Sequence, residues 1–161
     1  MNAADFPNLS FPEALERLGA MPSVLEAALA GATEAQLRLR AASDGFCLIE
    51  QACHLRDLER EGYAVRLERM LDQEHPELAG FEGDVVARER DYMAQEARGA
   101  ARAFRLERER FLARARTLTS DEMRRTGSFM GRSITVCDLL AMMVDHDAGH
   151  RGEIAALVAA R

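Results

Sequence analysis

The segment "VCDLLAMMVDHDAGHRGEIAALVAA", residues 136–160, predicts one long amphipathic helix and decides the interpretation of the whole chain. Steps of three and four residues along it mark the stripe that faces the interior of a helical bundle. That stripe consists of Val136, Leu139, Met143, His146, His150, Glu153 and Leu157. Two histidines and a glutamate therefore stand where leucine is usual. Thr135, with Asp138 three residues later, predicts a capping box at the start of the helix.

Three histidines form the candidate metal site. His146 and His150 are four residues apart, so a helix places their rings one turn apart on one side. His54, in an earlier helix, shares a face with Leu58 and Val65 and is predicted to point inward too. Such a set leaves one coordination position open, as in catalytic metal centres. Neutral imidazoles suit zinc, nickel, cobalt or iron(II), so we predict a divalent transition metal without naming it.

The alternative is that these residues are ordinary core histidines. A His-x-x-x-His pair also arises by chance, and a single inward histidine is more often a hydrogen-bonded core residue than a ligand. Spacing alone supports both interpretations equally. His75 precedes Pro76 in a predicted loop and is left out of the metal set.

Carboxylates near the histidines are candidates for supporting roles. Glu50 and Asp57 flank His54 on one helix face, and Glu153 follows His150 by three residues. Metal-bound histidines commonly donate their second N–H to a carboxylate, a role that Asp57 or Glu50 could fill. Glu153 could hold a water or act as a base. We therefore predict Glu153 and Asp57 as catalytic residues, with an ordinary exposed charge as the alternative for each.

The rest of the chain predicts three more long helices, at residues 12–30, 47–73 and 85–118. Short helical turns are expected near Thr33 and within residues 119–133. No segment shows convincing strand alternation, so the prediction is an all-α four-helix bundle in a single domain, residues 1–161. The long break after the second helix has room to cross the bundle, so the second and third helices are predicted to run parallel.

Charge and composition exclude several classes of protein. The 161 residues carry a net charge of -6, which opposes binding to nucleic acid. All 21 basic residues are arginine, so lysine chemistry is excluded. The arginine-rich stretch at residues 101–110 interleaves glutamates and predicts a solvated helix face. No 18-residue apolar run exists, and residues 1–10 do not resemble an export signal, so no membrane association is expected.

Three cysteines, Cys47, Cys53 and Cys137, cannot all pair within one chain, which fits a reducing cytoplasm. Cys53 is predicted to be a buried core residue rather than a nucleophile, because its neighbour His54 points about 100° away on a helix. Gly149 and Gly152 are unfavourable within a helix, so we predict that another helix or a substrate approaches the backbone there. Simple sequence drift in an alanine-rich helix is the alternative.

Two blocks of sequence resemble the DinB/YfiT-like superfamily. "HDAGHRGEI", residues 146–154, is similar to the signature H-x-x-x-H-R-G-Q-[IL] of that family's last helix. "TEAQLRLRAASDGFCLIEQACHLRDLE", residues 33–59, is similar to its L-T-x-E-Q-L … W-S-x-x-E-x-x-x-H-L-x-D-x-E block. Three positions depart from the pattern: Phe46 replaces tryptophan, Cys47 replaces the helix-capping serine, and Glu153 replaces glutamine.

The resemblance implies a four-helix bundle with up-down-down-up connectivity and often a homodimer. It also implies a metal held by His54, His146 and His150. Family members include transferases and isomerases that use low-molecular-weight thiols such as bacillithiol or mycothiol, and others are described as metal-dependent hydrolases. We therefore expect a small-molecule thiol or electrophile as partner and thiol transfer as the reaction. Metal-assisted hydrolysis is the close alternative, and a non-catalytic, metal-stabilised bundle that acts as a stress-linked binding protein is the second.

Overall fold

The computed structural model describes residues 9–161. Its helices are α1 (Phe11–Leu29), α2 (Glu34–Arg38), α3 (Leu48–Asp57), α4 (Ala64–Asp72), α5 (Gly83–Glu89), α6 (Ala97–Arg116), α7 (Ser120–Met123) and α8 (Val136–Ala159). A π-helical turn, Leu58–Tyr63, joins α3 to α4, so that residues 48–72 form one continuous rod. The expectation that the chain lacks an export signal falls mostly on residues 1–8, which lie outside the described residues.

Four long rods form the predicted four-helix bundle. They are α1, the rod of residues 48–72, α6 and α8, and α1 packs against both α6 and α8 while α3 packs against α6. Arg60 pairs with Glu107 at 3.3 Å, and Glu68 pairs with Arg114 at 3.1 Å. From the first ion pair to the second, the residue number increases in both rods. The second rod and α6 therefore run parallel, as the sequence predicted.

The other two directions complete the connectivity. The carbonyl oxygens of Leu18 and Leu29 in α1 accept hydrogen bonds from Arg108 and Arg98, so α1 and α6 run antiparallel. The guanidinium of the last residue donates to the Ala28 carbonyl near the end of α1, so α8 ends beside the end of α1. The bundle therefore runs up, down, down and up.

Polar caps set the helix starts. The Ser10 hydroxyl accepts a hydrogen bond from the Glu13 backbone N–H at the start of α1. The predicted box at the start of α8 is confirmed: the Asp138 N–H donates to Thr135, whose own N–H donates to the Asp138 carboxylate. Each box satisfies two backbone donors that a helix start otherwise leaves unpaired.

The third predicted helix is broken, which corrects the prediction of one helix over residues 85–118. α5 ends at Glu89, and Asp91 adopts a left-handed backbone with φ of 47° before a 3₁₀ turn, Tyr92–Ala94. α6 then begins after Glu96, whose carboxylate accepts hydrogen bonds from two backbone N–H groups of its first turn. Helical periodicity continues through the break, so the sequence pattern does not show it.

A small sheet corrects the expectation of no strands. β1 (Glu77–Leu78) pairs parallel with β2 (Thr126–Phe129), which pairs antiparallel with β3 (Arg132–Thr135). Met130 and Gly131 connect β2 to β3 and both have positive φ, 51° and 77°, as in the two-residue turns that suit hairpins. Strands of two to four residues are too short to show an alternating pattern, and methionine is an unusual residue at such a turn.

The arginine-rich stretch of α6 is only partly solvated, contrary to prediction. Arg108, within this stretch, is 1% exposed. The Arg108 guanidinium binds Glu59 of the π-helical turn at 2.8 Å and Asp147 of α8 at 2.7 Å, so one cation links α6 to the second rod and to α8.

Among residues 9–161, no helix has the length and apolarity needed to cross a membrane.

Candidate metal centre

Three imidazole rings meet where α3 faces α8. The ring centroids are separated by 4.9 Å for His54 and His150, 5.6 Å for His54 and His146, and 4.3 Å for His146 and His150. One ring nitrogen of each histidine lies within 4.8 Å of a nitrogen of both others. His54 and His150 are buried and His146 is half-buried. The structure thus brings together all three residues that the sequence predicted as ligands.

Gln51 orients His150, and sequence reasoning missed it. This fully buried glutamine on α3 places its Oε1 2.7 Å from His150 Nδ1, while its Nε2 donates to a Glu153 oxygen at 2.6 Å. An amide oxygen only accepts, so His150 carries its proton on Nδ1 and leaves the Nε2 lone pair available. A hydrogen bond of this kind fixes the tautomer of metal-binding histidines.

The nitrogen spacing fits a metal site. His150 Nε2 lies 3.0 Å from His146 Nε2. Two nitrogens on a tetrahedral zinc, each at about 2.0–2.1 Å from the ion, are about 3.3 Å apart. Nδ1 of His54 and Nδ1 of His146 are buried without a hydrogen-bond partner in the described part of the chain. The two Nε2 atoms lie within hydrogen-bond distance of each other, and a bound metal would replace that contact. Three imidazoles are a suitable donor set for a divalent transition metal.

Glu153 lies behind His150, which corrects its predicted position on the buried stripe. Its carboxylate is 3.1 Å from His150 Nδ1, but the side chain is 57% exposed. Ile154, at 2% exposure, takes the buried position instead. With about 3.6 residues per turn, the buried stripe advances by four residues after His150 rather than by three. Glu153 can therefore polarise His150 directly and through Gln51.

Asp57 is directed away from His54. Its carboxylate accepts hydrogen bonds from the Tyr92 hydroxyl at 2.6 Å, from Arg56 at 2.7 Å and from Arg90 at 3.0 Å. Burial opposes ionisation, but the hydrogen bonds from Arg56 and Tyr92 outweigh it and lower the pKa of Asp57. Asp57 thus anchors the segment between α5 and α6, and it contacts the three-histidine cluster only through its charge.

Glu50 has a capping role. It accepts a hydrogen bond from the Cys47 backbone N–H at 3.1 Å and pairs with Arg40 at 2.6 Å. This contact satisfies the backbone N–H of the residue that precedes α3. Cys53 is fully buried, as predicted, and burial raises the pKa of its thiol to about 11. Its thiol is therefore protonated and unreactive at neutral pH.

The His54 ring is closely packed on three sides. Its centroid lies 5.3 Å from the Phe46 ring and 5.9 Å from the Phe81 ring. Gly83, the first residue of α5, lies so close that a Cβ there would be 2.7 Å from the His54 Cε1 atom. Only glycine leaves room for the imidazole at this position.

Burial keeps the cluster neutral at physiological pH. Burial, helped by the neighbouring His150, lowers the pKa of His54 to about 4 and that of His146 to about 3. Burial also lowers the pKa of His150, although Glu153 and Asp147 oppose the shift. Neutral imidazole is the form that binds metal, so no ligand has to lose a proton at pH 7.

A cavity of about 480 Å³ reaches the cluster, and His54 and His146 form part of its wall. The remaining lining includes apolar residues from the second rod, the segment before α5, the hairpin and α8: Leu58, Phe81, Phe129, Met130 and Met142. The polar lining residues besides the histidines are Tyr63, Arg66, Glu82 and Asp145. Neither Asp57 nor Glu153 lines this cavity. A small organic molecule can therefore approach two of the three imidazoles from one side.

The π-helical turn decides which residue of the second rod joins the cavity. The sequence predicted Val65 on the face of His54, but Val65 is 47% exposed and Arg66 is 5% exposed. A π-helical turn inserts one residue into an α-helix, so every position after Leu58–Tyr63 is shifted by one. Arg66 thereby takes the inward place, and the pattern of apolar residues gave no signal of it.

The predicted approach of another helix at Gly149 and Gly152 is wrong. A Cβ built on either residue meets nothing within 4 Å in the described structure. Both glycines lie on the exposed side of α8, so no other helix packs against them within residues 9–161.

The fold and the site together define a four-helix bundle with a three-histidine cluster between its second and last rods. A family model for the DinB superfamily matches residues 17–154. The chain therefore belongs to the DinB superfamily. This agrees with the family that the two sequence blocks resembled.

A solved structure supports the same fold. The chain is similar to YfiT from Bacillus subtilis, with a TM-score of 0.85 and 22% sequence identity over 94% of this chain and 89% of that one. YfiT is described as a probable metal-dependent hydrolase with an unusual four-helix bundle topology. No curated protein sequence matches the chain. At this identity the similarity shows the fold alone.

Proposed function

We propose that the chain is a metal-dependent enzyme that transfers a low-molecular-weight thiol to a small electrophile. His54, His146 and His150 would hold a divalent transition metal, and Gln51 would keep His150 in the binding tautomer. The observation that carries the proposal is that the three rings converge beside a cavity lined by two of them. A purely structural metal would need no such access.

The positions of the two predicted bases, Glu153 and Asp57, favour thiol transfer over hydrolysis. A bound divalent ion would lower the pKa of a thiol or of a water molecule in the cavity. A free thiol has a pKa of about 8.5 and water about 15.7, so a thiol needs far less help from a base. Both predicted bases, Glu153 and Asp57, lie outside the cavity lining. The chain's own contribution is to orient the ligands, to exclude water with apolar walls and to bind the electrophile.

Hydrolysis is the second candidate, and two observations favour it. YfiT, which has the same fold, is described as a probable metal-dependent hydrolase. Asp145 also lines the cavity, next in sequence to His146, and could take a proton from water. Asp145→Asn separates the reactions, because it should abolish hydrolysis and leave thiol transfer largely intact.

The first experiment measures metal content in protein purified without a histidine tag. Elemental analysis should find one equivalent of metal in the wild type and in His75→Ala, whose histidine lies outside the cluster. It should find little in His150→Ala. Absence of stoichiometric metal from the wild type, after incubation with zinc, nickel, cobalt and iron(II), would contradict the proposal.

The second experiment tests the reaction. The metal-loaded protein is screened with small thiols against a panel of electrophiles, and with esters and amides for hydrolysis. We expect thiol conjugation that is lost in His146→Ala while circular dichroism shows a folded protein. The metal-loaded protein could instead be inactive with all thiols, esters and amides, while His146→Ala lowers the melting temperature sharply. That result would support a purely structural role for the metal. Sedimentation of the same samples tests the homodimer that we propose from the family resemblance.

A further inference from the structure

Arg66 is a buried cation that has no carboxylate partner among residues 9–161. It is 5% exposed, and its hydrogen bond among the described residues runs from Nε to the Ala79 carbonyl oxygen at 3.1 Å. No carboxylate oxygen of residues 9–161 lies within 4.0 Å of its guanidinium nitrogens. Arg108, which is 1% exposed, binds two carboxylates. Carboxylates of the described residues therefore neutralise Arg108, and none of them neutralises Arg66.

Aromatic rings hold the Arg66 guanidinium in place. Its Cζ lies 4.6 Å from the centroid of the Phe129 ring and 5.4 Å from that of the Tyr63 ring. Such contacts are worth little compared with an ion pair, but they fix the plane of the group. With Nε bound to a carbonyl and the group held between two rings, the terminal nitrogens are the donors that remain.

Those donors belong to the same cavity as the histidines. Arg66, Tyr63, His54 and His146 all line it. The Tyr63 ring centroid lies 6.0 Å from that of His146, and the Tyr63 hydroxyl has no hydrogen-bond partner in the part of the chain that the structure describes. Burial raises the pKa of Tyr63, so its hydroxyl remains a donor at neutral pH. Two unused donor groups thus stand beside the candidate metal ligands.

We propose that Arg66 binds a carboxylate of the substrate, with Tyr63 as a second donor, and that the substrate is a small carboxylic acid with an apolar body. The two terminal nitrogens of one guanidinium match the two oxygens of a carboxylate. A doubly charged phosphate fits less well, because Glu82 and Asp145 line the same cavity and would repel the additional charge. The apolar walls accept the rest of the molecule.

That the bound carboxylic acid is the substrate rests on the proposed function. Binding of a carboxylate at Arg66 can be tested in metal-free protein. The probes are phenylacetate and its uncharged analogue 2-phenylacetamide, whose binding is measured by titration calorimetry. The wild type should bind phenylacetate at least tenfold more tightly than the amide. Arg66→Gln should lose that preference.

Arg125→Gln is the matched control. Arg125 also donates to backbone carbonyls, those of Met70 and Gln73, but it does not line this cavity, so its replacement should leave the preference unchanged. An Arg66→Gln variant with the wild-type preference would overturn the proposal. So would a preference that the metal-loaded wild type shows and the metal-free wild type lacks, because the carboxylate would then bind the metal and not Arg66.

A second measurement uses only wild-type protein and so does not depend on the folding of a variant. Phenylacetate should shift the amide NMR signals of residues at the cavity, such as Tyr63, Phe81 and Phe129, in metal-free protein. Shifts confined to other surfaces would overturn the proposal. A protein that binds phenylacetate in this way but binds no metal would contradict the proposed function and leave the anion site standing.

Discussion

Replacing Gly83 with alanine tests the geometry of the metal centre without touching a ligand. The added Cβ would lie 2.7 Å from Cε1 and 2.9 Å from Nδ1 of His54, whereas ordinary contacts begin at 3.4 Å. The ring or the start of α5 must therefore retreat by about 0.7 Å, the difference between 3.4 and 2.7 Å. Bond lengths at a metal site tolerate deviations of about 0.2 Å. The imidazole would leave its binding position before the bundle itself is disturbed.

We expect Gly83→Ala to lower metal affinity by at least about tenfold, equivalent to about 1.4 kcal/mol. Competition with a chromogenic chelator measures the affinity, and thermal melts of the metal-free protein show whether the bundle is intact. Gly149→Ala is the matched control, because its Cβ meets open space. It should bind metal normally and gain stability, since alanine is favoured over glycine within a helix by about 1 kcal/mol. A folded Gly83→Ala protein with wild-type affinity would refute the proposed packing of His54.

Three further predictions concern the support of the site. Arg108→Met should destabilise the protein by about 3–5 kcal/mol in urea unfolding, because two buried carboxylates lose their cation. Arg110→Met, at an exposed position, should change the free energy of unfolding little. Equal losses of stability in the two variants would contradict the prediction. Gln51→Leu should weaken metal binding about 10–100-fold in the chelator assay, with the fold retained; unchanged affinity would remove its orienting role. The pKa values of His54 and His146 in the folded protein are about 4 and about 3, below the value of 6.5 for a free histidine. Below pH 6.5 the unfolded chain therefore binds protons that the folded protein does not, so the metal-free protein should lose stability as the pH falls from 6.5 towards 4. His146→Phe should flatten this slope.

The sequence predicted the parts of the site that depend on local periodicity. The spacing of His146 and His150 placed both rings on one face of α8, and the position of His54 on the second rod placed it inward. The cap at Thr135 follows the same logic, since a helix start has its own chemistry wherever the helix packs. These features require only that each segment be an amphipathic helix.

Roles that depend on partners from other elements could not be predicted in this way. Asp57 lies near His54 in sequence, yet Tyr92 and Arg90 of a distant segment bind its carboxylate. Gln51 resembles an ordinary polar helix residue until His150 of α8 is placed against it. A hydrogen-bond partner is chosen by which side chains meet in space, and one sequence does not record that.

The amino-acid order by itself determined four amphipathic rods, their polar caps and three inward imidazoles, because the 3.6-residue period is a property of each helix alone. Only the tertiary structure decided that the π-helical turn shifts the following helix by one residue, which places Arg66 and not Val65 at the cavity wall. Neither helix propensity nor the apolar pattern marks a one-residue insertion of this kind. It is maintained by packing between rods, where Arg108 holds Glu59 of that turn against α6 and α8.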